Sequence, residues 1–226
     1  MKHILFAIPL VIILALMFIF TSCGKNETVE TKDEQEVKET SADASTYKID
    51  LNASKVEWLG KKVTGQHNGT VDIKSGELNV ENGELEGGKF VIDFNTIKVL
   101  DLEDPESNAK LTNHLKSEDF FSAEKHPEAI FEITSLDKAD DGKGNNYKIN
   151  GNLTIKGIAK NISFPANINV TDNKVTATAD FNLDRTEWDI RYGSGKFFEG
   201  IGDKAINDDF NIKFDITADN MQYSGN

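Results

Sequence analysis

The sequence predicts an all-β fold, an antiparallel β-barrel of about eight strands with one short helix in a connection. Two observations carry this prediction: apolar and polar residues alternate over long stretches, and turn-forming residues separate those stretches. Alternation with a period of two gives a strand one apolar and one polar face, which is typical of antiparallel sheets. A third observation is that Cys23 is the only cysteine, so no intramolecular disulfide can form and the fold depends on its apolar core.

Four strands with clear alternation lie in the C-terminal half of the chain. The apolar face of the first contains Tyr147, Ile149, Gly151, Leu153 and Ile155. The apolar faces of the other three contain Ile162, Phe164, Ala166, Ile168 and Val170, then Val175, Ala177, Ala179, Phe181 and Leu183, and finally Phe210, Ile212, Phe214 and Ile216. Pro165 removes a backbone donor from the second of these strands, which predicts a sheet edge, a bulge or a barrel corner there.

Shorter strands are predicted nearer the start of the chain. They lie around Val56 and Trp58, Val71 and Ile73, Leu78 and Val80, residues 90–94 and residues 129–133. The pairs Asn82-Gly83, Asp141-Gly142 and Asp172-Asn173 supply turn residues that accept a positive φ.

One helix is expected at residues 105–116. Asp104 can cap its N-terminus, and Pro105 suits its first position. Leu111 and Leu115 lie four residues apart and therefore share a face of the helix.

Closure of the sheet into a barrel is favoured over a two-layer sandwich, because a closed barrel leaves no exposed strand edge. A barrel of about eight strands can also enclose room for one ligand. A sandwich with a filled core would show the same alternation. The pattern alone therefore leaves the choice of architecture, and of a filled or hollow interior, open.

The N-terminus has the order of a secretory signal peptide, which we assign to residues 1–22. A short positive start precedes an apolar run at residues 4–20, and small polar residues lead to Cys23. Phe20-Thr21-Ser22-Cys23 resembles a lipobox of the kind found in Bacteroidetes lipoproteins, with Phe20 where leucine is usual. Cys23 is therefore the expected site of lipidation, and a retained membrane-spanning segment is the alternative.

Composition divides the rest of the chain into three parts. Residues 23–46 are predicted to be the lipidated cysteine and a disordered acidic tether, because they contain too few apolar side chains to bury. Residues 47–218 form the barrel domain, and residues 219–226 a C-terminal tail. The formal net charge of −13 argues against nucleic acid as a partner, since a protein must neutralise phosphates with basic side chains.

Several segments resemble the YceI-like family, in the family's order and over nearly all of residues 47–218. They are Val56-Glu57-Trp58-Leu59-Gly60, Gly65-Gln66-His67-Asn68-Gly69, Asn113-His114-Leu115-Lys116, Asp119-Phe120-Phe121, His126-Pro127-Glu128-Ala129, Gly151-Asn152-Leu153-Thr154-Ile155 and Asp184-Arg185-Thr186-Glu187-Trp188. This resemblance implies a lipocalin-like antiparallel barrel that binds polyisoprenoid lipids in an interior tunnel. It implies no catalytic residues.

Candidate ligand-binding residues come from the inward register and from the matching segments. They are Trp58, His67, His114, Phe121, Leu153, Ile155, Phe164, Phe181, Arg185, Trp188, Ile212 and Phe214. For each apolar candidate, filling the core is the alternative role. Arg185 could meet a polar head group or form an ion pair at the rim, and His67 and His114 could equally be structural donors.

These observations predict a protein that binds, stores or transfers an isoprenoid-type lipid or a quinone, and not an enzyme. No metal site or cofactor is expected, since the histidines lack metal-ligand spacing and no nucleophile elbow is present. A structural or protein-interaction module of the cell envelope is the alternative. The expected location is the bacterial cell envelope, anchored by lipid to the outer membrane and facing the periplasm, with a surface-facing anchor left open.

Overall fold

The computed structural model describes residues 28–221. In chain order the elements are β1 (Thr31–Asp33), β2 (Ser45–Ile49), β3 (Lys55–Lys62), β4 (Gly65–Glu81), β5 (Glu84–Val99), α1 (Pro105–Lys116), β6 (Glu128–Lys138), β7 (Tyr147–Ile155), β8 (Ile158–Val170), β9 (Lys174–Asp184) and β10 (Ile206–Asn220), with short 3₁₀ helices at Arg185–Trp188 and Gly202–Lys204. The predicted signal peptide, Cys23 and residues 222–226 of the predicted tail lie outside the described residues. Within those residues, no helix is long and apolar enough to cross a membrane.

The strands close into a single antiparallel barrel. Each strand from β3 to β10 pairs with the next along the chain, and β10 returns to pair with β3, where Ile212 lies opposite Trp58. The short strand β2 continues the wall beyond the start of β3, pairing with β10 on one side and β4 on the other. The predicted all-β barrel of about eight strands is therefore confirmed, and the sandwich alternative is wrong.

The predicted strands at Val71 and Leu78 are parts of one long strand, β4. Val71 and Ile73 have odd numbers and Leu78 and Val80 even ones, yet all four side chains are buried in the same core. A β-bulge allows both odd- and even-numbered residues of β4 to face inward. From Ile73 to Ser75 the chain advances two residues along β4 but only one along β5. The extra residue reverses the inward parity of the strand.

The helix occurs at the predicted residues, Pro105–Lys116, and the Asp104 side chain caps it by accepting a hydrogen bond from Ser107 N at 2.8 Å. It lies in the connection between β5 and β6. One of its two predicted apolar side chains, Leu115, faces the barrel interior. The helix thus covers part of one end of the barrel.

The two ends of the barrel differ. We call the end with the β4–β5 and β8–β9 turns the closed end, and the end with α1, the β3–β4 turn and the β9–β10 connection the open end. Apolar side chains fill the closed end, among them Tyr47, Leu78, Leu85, Ile149 and Val175. The Tyr47 hydroxyl donates to the backbone oxygens of the β8–β9 turn, at 2.9 and 3.0 Å, and so joins the N-terminal wall to that turn.

The structure differs from the predicted flexible tether at residues 28–35, and β2 begins within its last residues at Ser45. Strands β8 and β9 pair only between Asn167 and Val170 of β8 and then diverge. Residues 28–33 lie in the gap: Val29 N donates to Asn182 O of β9 at 2.9 Å, and β1 pairs with residues 160–162 of β8. Val29 packs against the core. We call residues 28–35 the seam segment.

The seam segment is ordered by backbone hydrogen bonds more than by apolar burial. Its last residue, Gln35, is held by Asn152 on the outer face of β7. Composition measures apolar content and does not reveal such bonds, which explains the wrong expectation of disorder for this part of the tether. At the other terminus, β10 extends to Asn220, two residues beyond the predicted domain end.

Candidate functional site

An apolar cavity occupies the half of the barrel nearer the open end. The space available to the centres of water-sized molecules is about 170 Å³, whereas one water needs roughly 10–15 Å³. Its lining is almost wholly apolar, and Arg185 and Asn207 are the residues with polar side chains among those that line it. Because such a surface offers no partners for water, the cavity favours an apolar occupant.

Phenylalanines form one wall of this cavity. The rings of Phe164 and Phe181 stack with centroids 4.2 Å apart, and the edge of Phe214 meets Phe164 at 5.8 Å. Phe131 extends the wall, at 5.6 Å from Phe164. Neighbouring strands place these rings together, since Phe181 and Phe214 belong to β9 and β10. Mutual stacked and edge-on contacts fix the rings, so this wall of the cavity is preformed.

The structure places nine of the twelve predicted residues on the cavity lining. They are Trp58, Phe121, Leu153, Ile155, Phe164, Phe181, Arg185, Ile212 and Phe214. Trp58 and Ile212 are only partly buried although they face inward, because the space beside them is accessible. The hollow interior is therefore a property of the open end, where these residues lie.

Arg185 reaches the cavity lining, but its hydrogen bonds are made to the protein. Its guanidinium donates to Asn207 O at 3.1 Å, Ile190 O at 2.8 Å and Ile206 O at 3.2 Å. A further bond goes to Asp208 Oδ1 at 3.3 Å, so the predicted alternative of a rim ion pair is present. Burial lowers the pKa of the Arg185 guanidinium, and the nearby carboxylates partly offset this effect. Arg185 thus fixes the start of β10 in place.

The cluster around Arg185 also contains Asp184 and Lys196. Burial raises the pKa of the Asp184 carboxyl, but hydrogen bonds from Lys196 and Thr186 outweigh burial and leave that pKa below its ordinary value. Asp184 Oδ1 accepts a hydrogen bond from Thr186 N at 2.9 Å, and the Asp184 side chain thereby caps the 3₁₀ helix that follows β9. Ion pairs and caps therefore hold the connection that borders the open end.

Three predicted residues do not line the cavity. His67 pairs with Asp101 at 2.8 Å at the open end. His114, on α1, pairs with Asp119 at 2.9 Å and meets the ring of Tyr192 edge-on. Trp188 is fully buried and donates from Nε1 to Leu153 O at 3.0 Å. The two histidines occupy structural positions, which is the alternative that the sequence left open.

Several lining residues were not among the predicted candidates. Phe90, Ile92 and Phe94 line the cavity from β5, and Phe210 from β10. Their alternation in the sequence could have identified them, since all have the inward parity of their strands. Ile190, by contrast, lies in the β9–β10 connection, where no periodic pattern marks a side chain as inward-facing.

Nothing in the described part of the chain resembles a metal centre. Across residues 28–221, no three His, Cys, Asp or Glu side chains come together in a way that could hold a metal ion. The ionisable side chains near the cavity are instead those of the Arg185 cluster. What the geometry defines is an antiparallel barrel with an apolar cavity at its open end, the architecture of a lipocalin-like binding protein.

Comparison with known families agrees with this class. The family model of the YceI-like domain matches residues 47–218, so the chain belongs to the YceI-like family. Among curated proteins, it is 30% identical over 135 residues to the UPF0312 protein plu2095 of Photorhabdus laumondii, covering 57% of this chain and 64% of that protein. It is 36% identical over 62 residues to a UPF0312 protein of Pectobacterium atrosepticum, covering 27% and 30%. The chain thus spans less than two thirds of these relatives.

Two solved structures share the fold. BcnA of Burkholderia cenocepacia superposes with a TM-score of 0.58 at 22% identity, covering 75% of this chain and 99% of that one. A polyisoprenoid binding domain from Saccharophagus degradans superposes with a TM-score of 0.56 at 11% identity, covering 77% and 98%. At these identities the likeness concerns the fold.

Proposed function

We propose that this protein binds, stores or transfers an isoprenoid-type lipid or a quinone, with the apolar tail inside the barrel. The observation that carries the proposal is the apolar cavity at the open end. The relationship to a polyisoprenoid binding domain, through fold and family, supports the choice of ligand class. A binding role, as opposed to catalysis, is supported by the lining, which has no nucleophile or general base among its side chains.

The energetics of such binding follow from the lining. Burial of one CH₂ group contributes about 0.8 kcal/mol, so each five-carbon isoprene unit contributes a few kcal/mol. A few buried units outweigh the entropy lost on association, which is roughly 4–15 kcal/mol. Because Arg185 is engaged by backbone oxygens and Asp208, the interior offers little to a charged head group. The polar head of the ligand therefore stays at the open end.

The membrane attachment is also part of the proposal. Acylated Cys23 would hold the barrel to the outer membrane on its periplasmic side. The order of the N-terminal residues supports it: a positive start, an apolar run and the only cysteine of the chain. A lipid-binding barrel that remains beside a bilayer has its apolar ligand within reach.

Extraction of the purified protein followed by mass spectrometry tests the proposal. We expect a reproducible isoprenoid-type lipid at close to one molecule per chain. Ile212 lines the cavity while its neighbour Lys213 is exposed on the same strand. Ile212→Trp should therefore reduce the extracted lipid several-fold, and the matched variant Lys213→Trp should leave it unchanged. An interior that is always empty in protein from native membranes would reject lipid binding and favour an interaction module.

A further inference from the structure

Large apolar side chains are exposed mainly at the open end. Within residues 28–221, eight large hydrophobic residues are exposed, and five of them lie there, between 44% and 64% accessible: Val63, Leu100, Tyr192, Phe197 and Phe198. We call these five residues the open-end rim. The other three are Val37, near the seam segment, and Leu51 and Met221, near the closed end. Exposed apolar groups that gather on one surface mark an interaction site.

Backbone hydrogen bonds and a ring contact link the segments that carry the rim around the cavity mouth. Val63 N donates to Ala205 O at 3.3 Å, which links the β3–β4 turn to the β9–β10 connection. Leu100 N donates to Asn68 O at 2.9 Å on the other side of the same hairpin. Tyr192 rests against His114 of α1, with ring centroids 4.7 Å apart. The rim therefore involves all the segments that border the mouth except the β7–β8 turn.

The position of Thr28 decides which end of the barrel can face a membrane. Thr28 lies beside Asn182, two residues from the open-end terminus of β9 and eight residues from its other terminus at Lys174. At about 3.3 Å per residue these separations are roughly 7 and 26 Å along the strand. Cys23 precedes Thr28 by five residues, which reach at most about 18 Å when fully extended. A lipid on Cys23 thus keeps the open end, and not the closed end, near the bilayer.

We infer that the open-end rim docks on the surface of a lipid bilayer, with the cavity mouth turned toward the membrane. This inference rests on the proposed function for the acyl anchor and for the ligand. Tyr and Phe side chains suit the interface between headgroups and acyl chains. Since the chain has a formal charge of −13, attraction to anionic headgroups does not drive the docking. A lipid tail then passes between bilayer and cavity without crossing water.

A fluorescent label on a single new cysteine tests the orientation. In the acylated full chain Cys23 is blocked, so a new cysteine is the only free thiol. Val63→Cys places the label on the rim, and Asn173→Cys places it in the exposed β8–β9 turn at the closed end. In vesicles of phosphatidylethanolamine and phosphatidylglycerol that contain spin-labelled lipid, we expect several-fold stronger quenching of the rim label. The quenching should persist at high salt. Equal quenching, stronger quenching at the closed end, or loss of quenching in salt would overturn the docking.

Rim variants separate docking from the proposed function. Phe197→Ser with Phe198→Ser should lower quenching of the Val63→Cys label to the closed-end value, whereas Leu51→Ser should leave it unchanged. Mass spectrometry of the same preparation reports the bound lipid and the acyl group on Cys23. Bound lipid in an acylated chain without rim quenching refutes the docking alone. Rim quenching with an empty cavity refutes lipid binding alone. A chain recovered without an acyl group on Cys23 refutes the anchor and, with it, the orientation.

Discussion

Asn152 binds the backbone of Gln35 on both sides: its Oδ1 accepts from Gln35 N at 3.0 Å, and its Nδ2 donates to Gln35 O at 2.7 Å. This amide is 5% exposed, and it also accepts a hydrogen bond from Asn161 at 3.0 Å. The side chain therefore holds the end of the seam segment on the outside of the barrel. Buried polar groups that are fully hydrogen-bonded specify one arrangement of the chain.

The first prediction concerns this contact. Asn152→Ala removes both bonds to Gln35 and one of the two acceptors of Asn161 Nδ2, which keeps Thr134 Oγ1 at 3.1 Å. This loss should lower the free energy of unfolding by about 1–3 kcal/mol. The seam segment should lose protection first. Hydrogen exchange by mass spectrometry is expected to show faster exchange at residues 28–35. Asn150→Ala is the matched control, because Asn150 bonds to Ser135 and Asp137 instead. Equal exchange in the two variants would mean that Asn152 does not hold the segment.

The second prediction concerns Gly69, which lies against Trp58. A Cβ at position 69 would meet the backbone oxygen of Lys98, and would come within 2.6 Å of the Trp58 ring. Gly69→Ala should therefore move Trp58 in the cavity wall and destabilise the protein by about 1–3 kcal/mol. Gly60→Ala, on the strand paired with β4, has no heavy atom within 4 Å of its new Cβ and serves as control. Urea unfolding compares the two, and a smaller loss in Gly69→Ala than in Gly60→Ala would contradict the expectation.

The third prediction concerns Arg185 and Asp208. Arg185→Met leaves three backbone oxygens without the guanidinium donor and removes one of the two cations that pair with Asp208. Since Asp208 is partly exposed and keeps Lys196 at 3.9 Å, we expect a loss of about 1–3 kcal/mol, mainly from the unsatisfied oxygens. Arg191→Met is the control: Arg191 is half-exposed and stacks on Phe197 at 4.6 Å from the ring centroid. It should change stability by less than about 1 kcal/mol. The denaturant midpoint checks both, and similar midpoints would show that the Arg185 bonds are not structural.

The fourth prediction concerns pH. The pKa of Asp184 is lowered in the folded chain, since bonds from Lys196 and Thr186 outweigh the effect of burial. Its contribution to stability is therefore complete above its unfolded pKa of about 3.8. That contribution is lost as the pH falls from there through the lower folded pKa. Asp184→Ala should cost about 1 kcal/mol at pH 7, the usual value of a helix cap, and less at pH 3.

Urea unfolding at both pH values measures the effect. Asp203→Ala is the comparison, because Asp203 is exposed and lies in the same connection between β9 and β10. It should change stability little at either pH. A loss in Asp184→Ala that does not shrink in acid would indicate packing, and not the charge of Asp184, as the source.

Much of the barrel could be predicted because strand alternation has a direct physical cause. The inward faces of β7 to β10 were visible in the sequence, as were the helix at Pro105–Lys116 and its cap. The bulge after Ile73 was not visible, because it shifts the alternation from odd to even residues and makes the two halves of β4 resemble separate strands. The gap between β8 and β9 could not be predicted either, since strand divergence depends on pairing across the whole barrel.

The candidate site divides in a similar way. Cavity residues on strands, such as Leu153 and Phe181, follow from their register. Whether an inward Arg185 binds a ligand or the protein depends on where the chain returns after Trp188. Its partners are Ile190, in the connection after β9, and the first three residues of β10, and no local pattern places them beside Arg185. Trp188 follows Arg185 by three residues, yet it points into the packed wall. Local sequence contains no information on such long-range placement.

The different settings of the two tryptophans make the protein its own optical reporter. Trp188 is completely enclosed, its indole nitrogen is bound to Leu153 O, and it is not among the residues that line the cavity. Trp58 lies in the cavity wall opposite Ile212, with its Nε1 bound to Thr70 O at 3.3 Å. Since the chain contains no other tryptophan, a change in tryptophan fluorescence on titration with a prenyl chain that has no chromophore reports mainly on Trp58, the tryptophan that lines the cavity. Occupancy of the barrel can thus be followed without any label.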